Sequence, residues 1–229
     1  MIDLTDLSDG CSAADVEALC GRAMRAGCAA VCVWPDFVAD ASASLAGSSV
    51  RVATVANFPS GDERAFATGV VIERSLADGA DEIDVVFAYR AWLAGDLDRA
   101  AAVLSRAREL TTAGGAVLKV ILETGALTTS QVAAAARFAI DGGADFVKTS
   151  TGKTPVSATT EAVAAMLDAV ASSPRPVGIK ASGGIATLSD AMAYLDLADS
   201  AWGRDGVTAE RFRFGASRLL DDLEAHLDE

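Results

Sequence analysis

The chain has 229 residues, with 19 basic and 32 acidic side chains and a net charge of −13 at pH 7. That balance argues against a nucleic-acid or anionic-membrane surface, so any anionic ligand must be gripped locally. Apolar residues make up 51 % and charged ones 22 %, too hydrophobic for a disordered chain, yet no apolar run nears the ~18 residues of a membrane span.

The first ten residues, MIDLTDLSDG, hold neither a basic nor an apolar leader region, which points to a cytoplasmic protein. From there, short apolar runs alternate with Ala-rich segments of helical period. Strands are expected at Met1–Leu4, Ala29–Trp34, Val50–Ala56, Glu82–Phe87, Ala116–Leu122, Phe146–Lys148, Val177–Lys180 and Phe212–Phe214. Helices are expected to start at Ser12 with Asp15, at Asp62 running to Asp78, at Asp96 running to Thr112, at Thr129 with Gln131, at Thr160 before Glu161, and at Thr187 before Asp190. Eight strands alternating with helices and no break in composition indicate a single (β/α)8 barrel over residues 1–229 rather than an open doubly wound sheet. Size scaling for such a chain predicts about 9,700 Å² of exposed surface.

Scarce residue types narrow the chemistry. The only histidine, His226, stands three residues from the end, so a histidine metal site or a Ser-His-Asp triad is excluded. Cys11, Cys20, Cys28 and Cys32 lack C-x-x-C spacing and read as free, mostly buried thiols. Lysine occurs four times, at Lys119, Lys148, Lys153 and Lys180, each in or just after a strand candidate, while the other 15 bases are arginines. A lysine kept in such a background suggests a primary amine that loses its proton and attacks a carbonyl.

In a barrel the chemistry gathers at the C-terminal ends of strands. The sixth strand ends in Lys148 and the seventh in Lys180, so two ammonium groups face one pocket, and repulsion with desolvation leaves at least one partly neutral. On the fourth strand Glu82 and Asp84 share a face that enters the barrel. Lys119, on the same face as Glu123, is the expected partner of Glu82, and Asp84 is placed to exchange protons with Lys148 or Lys180 through water. Lys153 with the amides near Gly152, Gly183, Gly184 and Gly215 forms a second cluster shaped like a phosphate cradle. Cys32 reads as core bordering the pocket.

In order along the chain, VCVWP from Val31, VATVANFP from Val52, DEIDVVF from Asp81, LKVILETG from Leu118, FVKTSTGK from Phe146, GIKASGGI from Gly178 and FRFGAS from Phe212 resemble deoxyribose-phosphate aldolases, class I aldolases with a (β/α)8 fold. The resemblance implies that Lys148 forms the Schiff base, Lys180 lowers its pKa, and Asp84 relays protons with Lys180. It further implies that Thr151 lines the substrate site, and that Gly152, Lys153, Gly183, Gly184, Gly215 and Ser217 hold phosphate. Metal and organic cofactors are not expected; the expected partners are small aldehydes and sugar phosphates, with assembly as a dimer or tetramer. Ala186 and Arg218 depart from the family, which often has arginine and serine there, and no C-terminal tyrosine tail follows His226. Rival readings are another Schiff-base aldolase or transaldolase, a sugar-phosphate isomerase, or a non-catalytic barrel binding a phospho-ligand.

Overall fold

The eight apolar runs become β1 (Ile2–Asp6), β2 (Ala30–Val33), β3 (Arg51–Ala56), β4 (Glu82–Val86), β5 (Val117–Ile121), β6 (Phe146–Lys148), β7 (Gly178–Ser182) and β8 (Phe212–Ala216) in the computed structural model, which describes residues 1–227. Each strand pairs in parallel with the next, and β1 pairs with β8, closing the barrel. The helices are α1 (Ala13–Ala26), α2 (Val38–Ser44), α3 (Ala65–Ala77), α4 (Tyr89–Leu93), α5 (Leu97–Gly114), α6 (Thr129–Asp141), α7 (Thr160–Ala171), α8 (Leu188–Trp202) and α9 (Leu219–Leu227). The expected (β/α)8 architecture is therefore the one found, and the exposed surface, 9936 Å², is close to the value size alone predicts.

Strand alternation sorts side chains into two layers. Ile83 and Val85 of β4 point outward into the large core between sheet and helices, while Glu82 and Asp84 point inward. The inside of the barrel is split. On β2 and β3 it is lined by Ala30, Cys32, Ala53 and Val55, a small apolar cluster capped by Leu7, Trp34 and Phe58. The remaining strands bring charge.

Helix starts follow their caps. Ser12 and Thr187 each open a reciprocal capping box, with Asp15 and Asp190, and Asp96 caps α5 through the Arg99 amide. Two expected starts shift by one residue: Thr128 caps α6 in a box with Gln131, and Thr159 caps α7. Asp62 does not open α3. The chain is still turning there, because Asn57, at φ 55°, accepts from the Glu63 amide at 2.8 Å and from the Gly61 amide through its carbonyl at 2.9 Å. Asp62 instead pairs with Arg90, and α3 starts after Arg64 with no side-chain cap. The helices α2 and α4 were not anticipated. Strand ends also move: β1, β7 and β8 run two residues further than expected. Among the described residues no helix is long and apolar enough to cross a membrane. The terminal pair, Asp228 and Glu229, lies outside the described residues.

Candidate active site

Register brings the site together. Lys148 aligns with Lys180 and Lys180 with Arg213 across β6, β7 and β8, while Asp84 aligns with Lys119 across β4 and β5. Asp84 is the hub. Its Oδ1 accepts a hydrogen bond from Lys119 Nζ at 2.8 Å, and its Oδ2 accepts from Lys148 at 2.7 Å and Lys180 at 2.9 Å. The expected proton partners are thus in direct contact. The expected Glu82–Lys119 pair is also present, at 2.6 Å.

Burial drives the Lys148 ammonium below its ordinary value; Asp84 pulls the other way, and the Lys180 charge adds to the downward push. Lys180 is equally buried, but Asp3 and Asp84 hold its proton more tightly than usual, and Lys119 is held likewise by Asp84 and Glu82. Burial alone would raise the Asp84 carboxyl, yet Lys119, Lys148 and Lys180 keep it well below the usual carboxylate range. Two adjacent lysines therefore differ sharply: Lys180 stays a cation and Lys148 is the amine that gives up its proton first.

Two residues of this network were missed in the sequence. Asp3 of β1 lies 2.6 Å from Lys180 and 3.6 Å from Lys119, and Arg213 of β8 reaches Asp3 at 2.9 Å and Glu82 at 3.2 Å. The available signal was a charge at a buried position of a short strand, Asp3 in IDLTD and Arg213 in FRFGA, since a buried position tolerates charge only where a partner waits.

The second cluster sits at the same end of the barrel. Gly152, Gly183 and Gly184 all have positive φ (75°, 89° and 80°), and a Cβ on Gly183 would come within 2.6 Å of Ser157 and 3.3 Å of Gly152 Cα. Side chains at these turns would fill the concavity. A Cβ on Gly215 would lie 2.8 Å from Lys180 Cε, so that glycine makes room for the lysine as well. The turns after β6 and β7 are tied together, Ser182 donating to the Ser150 carbonyl at 3.0 Å and Thr149 to the Ser182 carbonyl at 3.0 Å. Lys153 crosses to the far rim: its Nζ donates to the Leu7 carbonyl at 2.8 Å and stands 5.7 Å from the Trp34 ring centroid. Thr151 donates to Glu123 at 2.6 Å; Glu123 lies past the end of β5, at φ 56°, and also accepts from Thr154. Ser217 and Arg218 are exposed at the start of α9. Cys32 is fully buried inside the barrel, its thiol pushed up by burial. His226 is solvated on α9 against Asp222, and the cysteines are free, with Cys20, Cys28 and Cys32 buried.

A closed parallel barrel whose interior carries lysines clustered on one carboxylate defines the class of Schiff-base-type barrels. The family model for DeoC/LacD family aldolases matches residues 1–223, and the chain belongs to that family. A curated deoxyribose-phosphate aldolase from Agrobacterium fabrum (strain C58) is 44 % identical over 227 residues, covering 97 % of this chain and 87 % of the relative. Among solved structures, QR15, an aldolase, superposes with a TM-score of 0.83 at 29 % identity, covering 99 % of this chain and 96 % of its own. The deoxyribose phosphate aldolase of Aeropyrum pernix, described as a unique tetramer, superposes at 0.82 with 27 % identity, covering 99 % and 89 %.

Proposed function

We propose that this aldolase reversibly cleaves 2-deoxy-D-ribose 5-phosphate to acetaldehyde and D-glyceraldehyde 3-phosphate, using one (β/α)8 domain over residues 1–229. The observation that carries the reading is Lys148, 3 % exposed, driven toward neutrality beside a firmly charged Lys180. The sequence similarity to the Agrobacterium relative supports the substrate.

In the synthetic direction the Lys148 lone pair attacks the acetaldehyde carbonyl, and the carbinolamine loses water to give an iminium ion. The iminium draws electrons from the neighbouring C–H bond, so a proton leaves the methyl group and an enamine forms. Asp84, which accepts hydrogen bonds from both Lys148 and Lys180, and Lys180 itself are the groups through which that proton moves. The enamine carbon then attacks the second aldehyde, and hydrolysis of the new iminium frees Lys148. The iminium is its own electron sink, so the route needs no metal or organic cofactor. Gly152, Gly183, Gly184, Gly215, Ser217 and Lys153 hold the phosphate, Lys153 exchanging the Leu7 carbonyl for a phosphate oxygen, and Thr151 lines the pocket between the two clusters. The phosphate is gripped at short range against an overall charge of −13.

Borohydride reduction in the presence of acetaldehyde, followed by peptide mapping, tests the assignment. One two-carbon adduct on Lys148 is expected; an unlabelled chain would favour an isomerase or a binding barrel, and an adduct elsewhere would move the nucleophile. The same reading includes a cytoplasmic dimer or tetramer, supported by the tetrameric Aeropyrum relative and checked by light scattering on the purified protein.

A further inference from the structure

The barrel interior holds more fixed charge than the reaction uses. The carboxylates in ion-pair contact are Asp3 on β1 and Glu82 and Asp84 on β4; the cations are Lys119 on β5, Lys180 on β7 and Arg213 on β8. Their contacts close a circuit. Lys180 meets Asp3 at 2.6 Å, Asp3 meets Arg213 at 2.9 Å, and Arg213 meets Glu82 at 3.2 Å. Glu82 meets Lys119 at 2.6 Å, Lys119 meets Asp84 at 2.8 Å, and Asp84 returns to Lys180 at 2.9 Å. Three negative charges are matched by three positive ones. Lys148 touches this circuit once, at an Asp84 oxygen that Lys180 already occupies.

We propose that Arg213, at the opposite end of the barrel from the reacting amine, is a positioning residue for the reaction: by bridging Asp3 and Glu82 it neutralises the circuit, leaving no unmatched carboxylate to hold a proton on Lys148. The inference rests on Lys148 being the imine-forming amine. Buried charge is tolerated only with a counter-charge, so a seventh charge added to a matched set gains no new partner for its lost hydration. Arginine suits the position because its guanidinium keeps its proton and its fork spans two carboxylates.

The other groups around Lys148 do not upset the balance. Cys32 from β2 is a thiol kept protonated by burial, and β3 contributes Ala53 and Val55 to the interior. Glu123, beyond β5, is satisfied by the Thr151 and Thr154 hydroxyls, and Lys153 is engaged at the rim by Leu7. Removing Arg213 leaves three carboxylates facing Lys119 and Lys180, which favours a charged Lys148. Removing the Glu82 charge leaves a surplus cation, which disfavours it.

The experiment is the pH dependence of cyanoborohydride trapping of acetaldehyde on Lys148, in the wild-type chain and in Arg213→Met, Glu82→Gln, the double variant and Arg213→Lys. The acid limb is expected to move up by about one pH unit in Arg213→Met, a ~tenfold loss of reactive amine at fixed pH on that limb. It moves down in Glu82→Gln, and the double variant and Arg213→Lys return close to wild type. Limbs that stay put, or that move in the same direction in both single variants, overturn the proposal; a purely structural role lowers the amplitude without moving the limb. Should Arg213→Met not fold by circular dichroism, the isosteric Glu82→Gln decides alone, an unmoved limb being the negative result. A wild-type chain that is not trapped at Lys148 fails the functional reading instead, and then no limb exists to compare.

Discussion

At position 148 an arginine would keep a positive charge but could neither shed its proton nor attack a carbonyl. Lys148→Arg is therefore expected to give no trapped adduct and to lower turnover on the order of 10⁴-fold or more; mass spectrometry and steady-state rates check this, and a rate near the parent's would place the nucleophile elsewhere. Arg218 is exposed one residue beyond Ser217, and position 186, where relatives often carry a cation, is alanine. Arg218→Ala should raise KM for the phosphorylated aldehyde several-fold and leave that for acetaldehyde unchanged; equal effects on both would remove Arg218 from the phosphate site. Lys148, Lys180 and Asp84 are legible in the sequence because lysine is scarce and strand ends are where a barrel displays chemistry. Asp3 and Arg213 are not, for alternation shows which way a side chain points but not which inward residues meet, and these two are 210 positions apart.

Among the elements, β6 and β7 pack closely where a glycine faces an aromatic ring. Gly178 pairs with Phe146, and a Cβ there would overlap the Phe146 ring. Gly178→Ala should cost about 1–3 kcal/mol, the range for overpacking a filled core; an unchanged urea midpoint would mean that the ring has room to move. The strands could be read from their β-branched runs. Helix starts were legible where a Ser, Thr or Asp stood alone before the first turn, as at Ser12, Asp96 and Thr187, and slipped by one where two threonines adjoin, at Thr128–Thr129 and Thr159–Thr160. Asp62 misled because Asn57, five residues earlier, supplies the hydrogen bonds that keep the chain turning past it. The short helices α2 and α4 span seven and five residues, too few to show a helical period.

For the molecule as a whole, the buried circuit sets how stability depends on pH. Asp3 and Asp84 both titrate below the usual carboxylate value in the folded chain. Their contribution is therefore fully present above the unfolded value of about 3.9 and is lost as pH falls through the folded ones. Lys119 and Lys180 are shifted upward, so their contribution is present below about 10.4 and is lost as pH rises beyond it. Denaturation midpoints measured against pH should fall steeply below about pH 4. Asp84→Asn should flatten the acid slope by about one proton; an acid slope unaltered in that variant would show that other carboxylates govern it.

The pairing of the first strand with the last has a temporal meaning. Asp3 emerges from the ribosome early and Arg213 late, so the electrostatic setting that frees an amine arises only when the barrel zips shut. A half-assembled chain then carries ordinary, protonated lysines, and reactivity switches on together with completion of the fold.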